Sequence, residues 1–314
     1  MILLFRILAI LSSIAAFFQI TLGGIVRVTD SGLGCPDWPL CYGQLIPPFE
    51  LATLIEYSHR LSASVLGFLV IATVLVGLIY FRDQSWVIWP SISGLVLVVA
   101  AAGLGGATVL TELKWWVRLI HLALAEGAVA CMLIASVVAV RLNPHIRSDP
   151  MRTALPLRSF SKIVIVALVG TFALILSGSY MVGYGAGSSC ASWPLCMGSL
   201  FTEGSAYTIH MIHRYIAAII GITILATVYL AWHNRGYMKS LGWASAAVLI
   251  LLFIQILTGY ELVRSGFGPD IKAIHLSLAT SVWISLVILA SLVYVPLQVK
   301  TNHRSQSKKD RRPI

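Results

Sequence analysis

The sequence predicts an all-α integral membrane protein with eight transmembrane helices, built as two four-helix bundles in parallel repeat. Three observations carry that expectation. The 314 residues are 58% hydrophobic and 11% charged, with a mean hydropathy of +0.88, whereas a soluble domain carries about 25% charged residues. Eight continuous apolar runs are each long enough to cross a bilayer, which takes roughly 20 residues. The motifs of the first half also return in the second half at an interval of 154 or 155 residues.

In chain order, the first run lies near Leu3–Val26 and is followed by Arg27. It has no small-residue cleavage site, so it is expected to remain as a span rather than leave as a signal peptide. The second lies near Leu54–Tyr80, ahead of Arg82, the third near Trp86–Leu110, and the fourth near Val117–Val140, ahead of Arg141. The second half holds Lys162–Tyr184, Tyr207–Trp232 (ahead of Arg235), Leu241–Val263 (ahead of Arg264) and Ile271–Val295. Backbone polar groups in hydrocarbon must be satisfied within their own segment, so these runs are helices. A membrane β-barrel would alternate polar and apolar residues instead.

The basic residues orient the chain. Of 22 Lys and Arg, 15 fall in the termini and loops on one side, among them Arg6, Arg82, Arg141, Arg235 and the tail after Lys300, and 7 on the other. Both termini are therefore expected in the cytoplasm. The net charge of +10 then reflects cytoplasmic loops rather than a nucleic-acid partner, and the composition excludes a secreted or cytosolic soluble protein. Residues 1–142 are expected as the first bundle and 162–296 as the second. Between them lies a cytoplasmic linker, 143–161, with Pro144, Pro150 and Pro156, and a basic tail follows over 297–314.

The repeat places histidines. His59 and His213 are 154 residues apart, as are His121 and His275, and within each half the two lie 62 residues apart. All four fall near the extracytoplasmic ends of alternate spans, where an ionisable residue is costly and usually functional. Two imidazoles on facing helices at one depth suit axial ligation of a haem iron, and zinc asks for more donors close together. The expectation is two haem sites, His59/His121 and His213/His275. Arg27, Arg60 and Arg214 are candidate propionate contacts, since a guanidinium fork matches a carboxylate, and Arg118 and Lys272 could serve the same end; interfacial anchoring is the alternative reading.

Cys35/Cys41 and Cys190/Cys196 enclose related loops, each containing Trp-Pro-Leu-Cys, on the extracytoplasmic side. Two readings stand open. Each pair forms a structural disulfide worth roughly 2–2.5 kcal/mol by loop entropy, or the first pair is a dithiol that exchanges with a thioredoxin-like partner. Cys131, in the fourth span, is expected to pack in the core. The halves differ where chemistry would divide: Glu56, three residues before His59, is matched by His210, Glu126 by Thr280, and Gln19 by Ala173.

Gly23-Gly24-Ile25-Val26-Arg27-Val28-Thr29, Ser31-Gly32-Leu33 and Cys35-Pro36-Asp37-Trp38-Pro39-Leu40-Cys41 together resemble the haem A synthase family, and Glu56-Tyr57-Ser58-His59-Arg60 matches its Glu-x-x-His-Arg signature. The resemblance covers essentially the whole chain. It implies a bacterial cell-membrane oxidoreductase that converts the C8 methyl of haem O to the formyl group of haem A in two steps. By position it implies His59 and His121 on substrate haem O, His213 and His275 on a haem b that relays electrons, Glu56 as the catalytic carboxylate, and Cys35/Cys41 as the functional pair. Implied partners are a haem O synthase and an electron donor or acceptor whose identity the sequence does not give. His210 departs from the pattern and competes with His213 as a ligand, though His213 alone keeps both the 154 and the 62 intervals. The rival readings are a dihaem b-type electron-transfer cytochrome and a membrane thiol oxidoreductase. Neither explains both the four matched histidines and the unmatched Glu56.

Overall fold

A computed structural model of the chain describes residues 1–142, 158–236 and 238–295. Among them are eight membrane-length helices: α1 (Ile2–Val28), α2 (Leu51–Tyr80), α3 (Ser85–Leu110), α4 (Trp115–Arg141), α5 (Arg158–Gly183), α6 (Ser205–His233), α7 (Lys239–Arg264) and α8 (Pro269–Tyr294). A single 3-10 turn, Asn234–Gly236, follows α6. Most helices extend a few residues past their apolar runs, because a helical backbone continues into the interface where polar side chains are tolerated. α5 starts at Arg158, inside the segment read as a linker. The rest of that segment, and the basic tail, lie outside the described residues.

α1 packs on α2 and α4, and α3 packs on the same two helices. α5 packs on α6 and α8, and α7 does likewise. Across the chain, α8 meets α1 and α4, and α5 meets α4. This seam is filled by Ala16, Ile20, Val129, Met132, Ile175, Trp283 and Val287. Approach is closest where small residues allow it: a Cβ on Gly24 of α1 would lie 2.9 Å from Leu276 of α8. Lipid is as apolar as leucine, so such close packing, rather than a hydrophobic drive, holds helices together in a membrane.

Polar residues punctuate the seam. The Thr280 hydroxyl donates to Glu126 Oε1 at 2.7 Å, and the Trp283 indole donates to the Glu126 carbonyl at 3.1 Å. Lower down, Arg141 donates to the carbonyl oxygens of Leu292 and Val295 at the end of α8. Each interhelical hydrogen bond in a membrane contributes about 0.6 kcal/mol on average, so these bonds fix register more than they supply stability. Glu126 therefore faces α8 and not the pocket beside His121, as its five-residue offset from that histidine implies. Cys131 is free and packs at the edge of the same cluster. His233 is exposed at the end of α6, its ring stacked on Tyr229.

Candidate functional site

The four repeated histidines sit at matching heights. His59 and His213 are the ninth residues of α2 and α6, and His121 and His275 the seventh of α4 and α8. His59 lies within reach of the charge of His121, and His213 within reach of that of His275. Each ring is backed by a glycine on the preceding helix. A Cβ would stand 3.0 Å from the His59 ring at Gly23, 3.5 Å from His121 at Gly105, 3.1 Å from His213 at Gly178 and 3.3 Å from His275 at Gly259. At Gly23 and Gly178 any larger residue would have to push the imidazole inward.

Neighbouring polar groups hold the rings. His121 Nδ1 donates to the Ala101 carbonyl at 2.8 Å, and His213 Nδ1 lies 2.8 Å from Ser177 Oγ. The Nε2 atoms of both make no hydrogen bond among the described residues, as an imidazole needs for coordination through that nitrogen. Gln19 Nε2 lies 3.1 Å from His59 Nδ1, with its own Oε1 accepting from Ser62. His275 lies 3.3 Å from Gln255 Nε2 and 3.4 Å from Thr258 Oγ1. The sequence reading gave no role to Ser177, Gln255 or Thr258. A lone amide in an apolar span was the available signal for Gln255. No cluster of three or more His, Cys, Asp or Glu occurs among the described residues. In each pair one imidazole has an unengaged Nε2, and the other's Nε2 lies beside an amide: His59 3.4 Å from Gln19 Nε2 and His275 3.3 Å from Gln255 Nε2. Two imidazoles with glycine-cleared walls still fit a haem iron, which brings its own equatorial nitrogens.

Both cysteine pairs are closed as disulfides, and the two loops share one backbone path. The Trp38–Pro39 and Trp193–Pro194 bonds are both cis, and isolated bridges join Cys41 to Gln44 and Cys196 to Ser199. Gly43 and Gly198 occupy the left-handed region at φ 67° and 73°, where a side chain is disfavoured. Trp38 lies against Gly106 of α3, and Trp193 meets Tyr260 of α7 edge-on.

Beneath the first loop, all five donors of Arg60 are engaged. Nη1 donates to the carbonyls of Asp37 and Leu40 at 2.6 Å each, Nη2 to Cys35 at 3.0 Å and to Glu56 Oε1, and Nε to Glu56 Oε1 at 3.2 Å. Arg214 repeats the clamp on Ser192, Pro194 and Cys190. The forks read from the sequence as propionate contacts are thus spent on the loops, fully so in Arg60. Arg27, the third of that set, reaches Ser179 on α5. Glu56, only 4% exposed, also accepts from the Cys35 N–H at 2.9 Å, so it joins the loop to the helix of His59. Its counterpart His210 donates Nδ1–H to the Ala186 carbonyl at 3.0 Å and meets Phe267 edge-on.

The loops differ in one carboxylate. The half-buried Asp37 carboxylate accepts from Gly43 N at 2.7 Å and Tyr42 N at 2.6 Å, where the second loop uses Ser192 Oγ. The Gly43 N–H, then that of Tyr42, and the charge of Arg60 hold Asp37 below the usual carboxylate range. Its support is therefore full above the unfolded value, about 3.9, and is lost as pH falls through the lower folded value. Reduction of Cys35–Cys41 by a phosphine, measured relative to Cys190–Cys196 by mass mapping, is expected to accelerate as pH drops below about 4. A ratio that does not change with pH would remove this role from Asp37.

The family model described as cytochrome oxidase assembly protein, COX15-CtaA, matches residues 6–53, 48–208 and 202–313. The chain is also similar to the haem A synthase of Exiguobacterium sibiricum, at 28% identity over 88% of this chain and 91% of the relative. It resembles the haem A synthase of Alkalihalophilus pseudofirmus at 22% identity over 93% and 98%, and that of Symbiobacterium thermophilum at 26% over 94% and 96%. With matched segments running from the first helix into the tail, and with paired loops and paired histidines on a multi-pass frame, the chain belongs to the COX15-CtaA family of cytochrome oxidase assembly proteins.

Proposed function

We propose that the protein is a haem A synthase. It oxidises the C8 methyl of haem O to a formyl group in two successive steps, in a first-half pocket between His59 and His121. His213 and His275 would hold a haem b, which would supply one-electron transfer with an outside partner. The observation that carries this reading is the repeated pair of imidazoles, each backed by a glycine and each held by a neighbouring polar group. Family membership and the haem A synthases among the relatives support it.

The same reading takes residues 1–142 and 162–296 as two four-helix bundles related by an axis along the membrane normal. Glu126 with Thr280, and Arg141 with Val295, support it: each contact joins residues 154 positions apart. Two copies of one position touch each other only on the axis that relates them. The basic-residue bias supports cytoplasmic termini and extracytoplasmic cysteine loops in a bacterial cell membrane. A bound haem iron would supply the redox chemistry. The chain's residues do the rest: His59 and His121 hold the substrate ring, with Gln19 and the Ala101 carbonyl fixing their orientation. Glu56, steered by Arg60 and the Cys35 N–H, is the group that takes up a proton as the methyl carbon loses hydrogen. The disulfide Cys35–Cys41 anchors that carboxylate, and its exchange with a thioredoxin-like partner would release the anchor. A haem O synthase is the expected supplier of substrate.

The test is to express the chain with haem O supply and separate the extracted haems by chromatography. Haem A or its alcohol precursor on the purified protein is expected. Haem b alone, at two per chain, would instead select a dihaem electron carrier.

A further inference from the structure

Two arginines at the outer end of the seam are left without an anion. Arg27 closes α1, four residues beyond Gly23, which backs His59. Arg118 lies three residues before His121 on α4. On a helix these offsets return to nearly the same face, so each guanidinium stem stands one turn outward from the first pocket. Their helices α1 and α4 pack on each other, and the charge of Arg118 acts on Arg27. Arg27 finds only neutral acceptors, Ser179 Oγ at 3.2 Å and the Ser179 carbonyl at 3.3 Å. Arg118 Nε is buried and has no hydrogen-bond partner among the described residues. The ion pairs among the described residues are Arg60–Glu56 and Arg264–Glu261, so neither cation is matched by a carboxylate.

Two neighbouring half-buried guanidinium groups with no counter-ion are costly, and the cost falls when an oxyanion bridges them. The second half does not repeat the arrangement. The position matching Arg27 is Met181, which is buried, and that matching Arg118 is Lys272. Arg60, with its fork filled by loop carbonyls and Glu56, cannot serve in their place.

We propose that Arg27 and Arg118 form an oxyanion seat at the outer end of the seam, beside the first pocket and absent from the second. The shared ligand chemistry is a carboxylate or phosphate oxygen, supplied by the propionates of a porphyrin in the first pocket or by the headgroup of an anionic phospholipid. The first source rests on the proposed function and deepens it. A ring held only by two axial imidazoles can turn about the line joining them. A guanidinium pair at one edge stops that rotation and selects which peripheral methyl faces the rest of the pocket. Both arginines are thereby positioning residues.

The experiment uses the purified full-length chain carrying its resident haem, titrated with fluorescent zinc protoporphyrin IX and with its dimethyl ester. A second arm uses native mass spectrometry after exchange into phosphatidylglycerol-containing micelles. The parent is expected to prefer the diacid by about tenfold, the scale of a charge-assisted hydrogen bond. R27Q/R118Q should lose that preference, and R27K/R118K should keep part of it. Equal binding of diacid and ester by the parent, with a phospholipid retained by the parent and lost from R27Q/R118Q, would assign the seat to a phosphate. Unchanged porphyrin preference together with unchanged lipid retention in R27Q/R118Q would overturn the seat. A parent that binds neither porphyrin would refute the first pocket as a haem site, and the lipid arm would then decide the seat by itself. An unaltered spectrum of the resident haem in each variant confirms folding, and R27K/R118K supplies the comparison if the glutamine variant is poorly folded.

Discussion

Glu56→Gln is expected to stop haem A formation while leaving the fold and both haem pockets in place. The side chain keeps its volume and an oxygen that can still accept from Arg60 or from the Cys35 N–H, so the loop stays anchored. What is lost is the ionisable group. A positioned acid or base contributes roughly two to four orders of magnitude to a proton-transfer step. Haem A per chain should therefore fall at least about a hundredfold, with haem O or its alcohol accumulating on the protein. Chromatography of extracted haems measures this, and haem A at the parent level would return Glu56 to the role of loop anchor alone. Loss of every haem would make it structural.

His213→Ala and His275→Ala should each remove the low-spin haem of the second half, because each deletes one of two axial nitrogens. Loss of a metal ligand exceeds the roughly 10- to 100-fold cost of losing its outer partner. Ser177→Ala, which removes the hydroxyl beside His213 Nδ1, should weaken retention and leave the spectrum low-spin. His210→Ala should keep the haem, since His213 is the ring backed by Gly178 as His59 is by Gly23, while His210 lies edge-on to Phe267 at the base of the second loop. Reduced-minus-oxidised spectra of the purified variants decide the matter. Normal haem in the two ligand variants, with loss on changing His210, would reverse the assignment.

Helix number and extent were legible in the sequence because a bilayer enforces long apolar runs, and the eight helices follow them to within a few residues. The level of the histidines was legible because the 154-residue interval carried one pattern into two places. Side-chain direction was not. Arg60 next to a candidate ligand reads equally well as a propionate contact or a loop clamp. The choice turns on where the Cys35–Cys41 loop folds back, and chain spacing does not encode that. Glu56 was found by its mismatch with His210, but its bond to the Cys35 backbone needed the fold of the loop. Ser177 lies 154 residues after Gly23, and its contact with His213 follows from how α5 and α6 face each other.

The contact between Glu126 and Thr280 also bears on ancestry. In the proposed arrangement they are the same position of one duplicated unit, meeting on the axis. Before fusion, a homodimer of that unit would have set identical residues against each other there. Two glutamates in this dry place would have been forced to share one proton, and two threonines would have offered no carboxylate. A hydroxyl donating to a carboxylate requires the two sides to differ, which identical subunits cannot provide. This mismatched pair therefore arose after the unit was duplicated, and it ties the halves in a register that separately expressed halves would have to find again by collision.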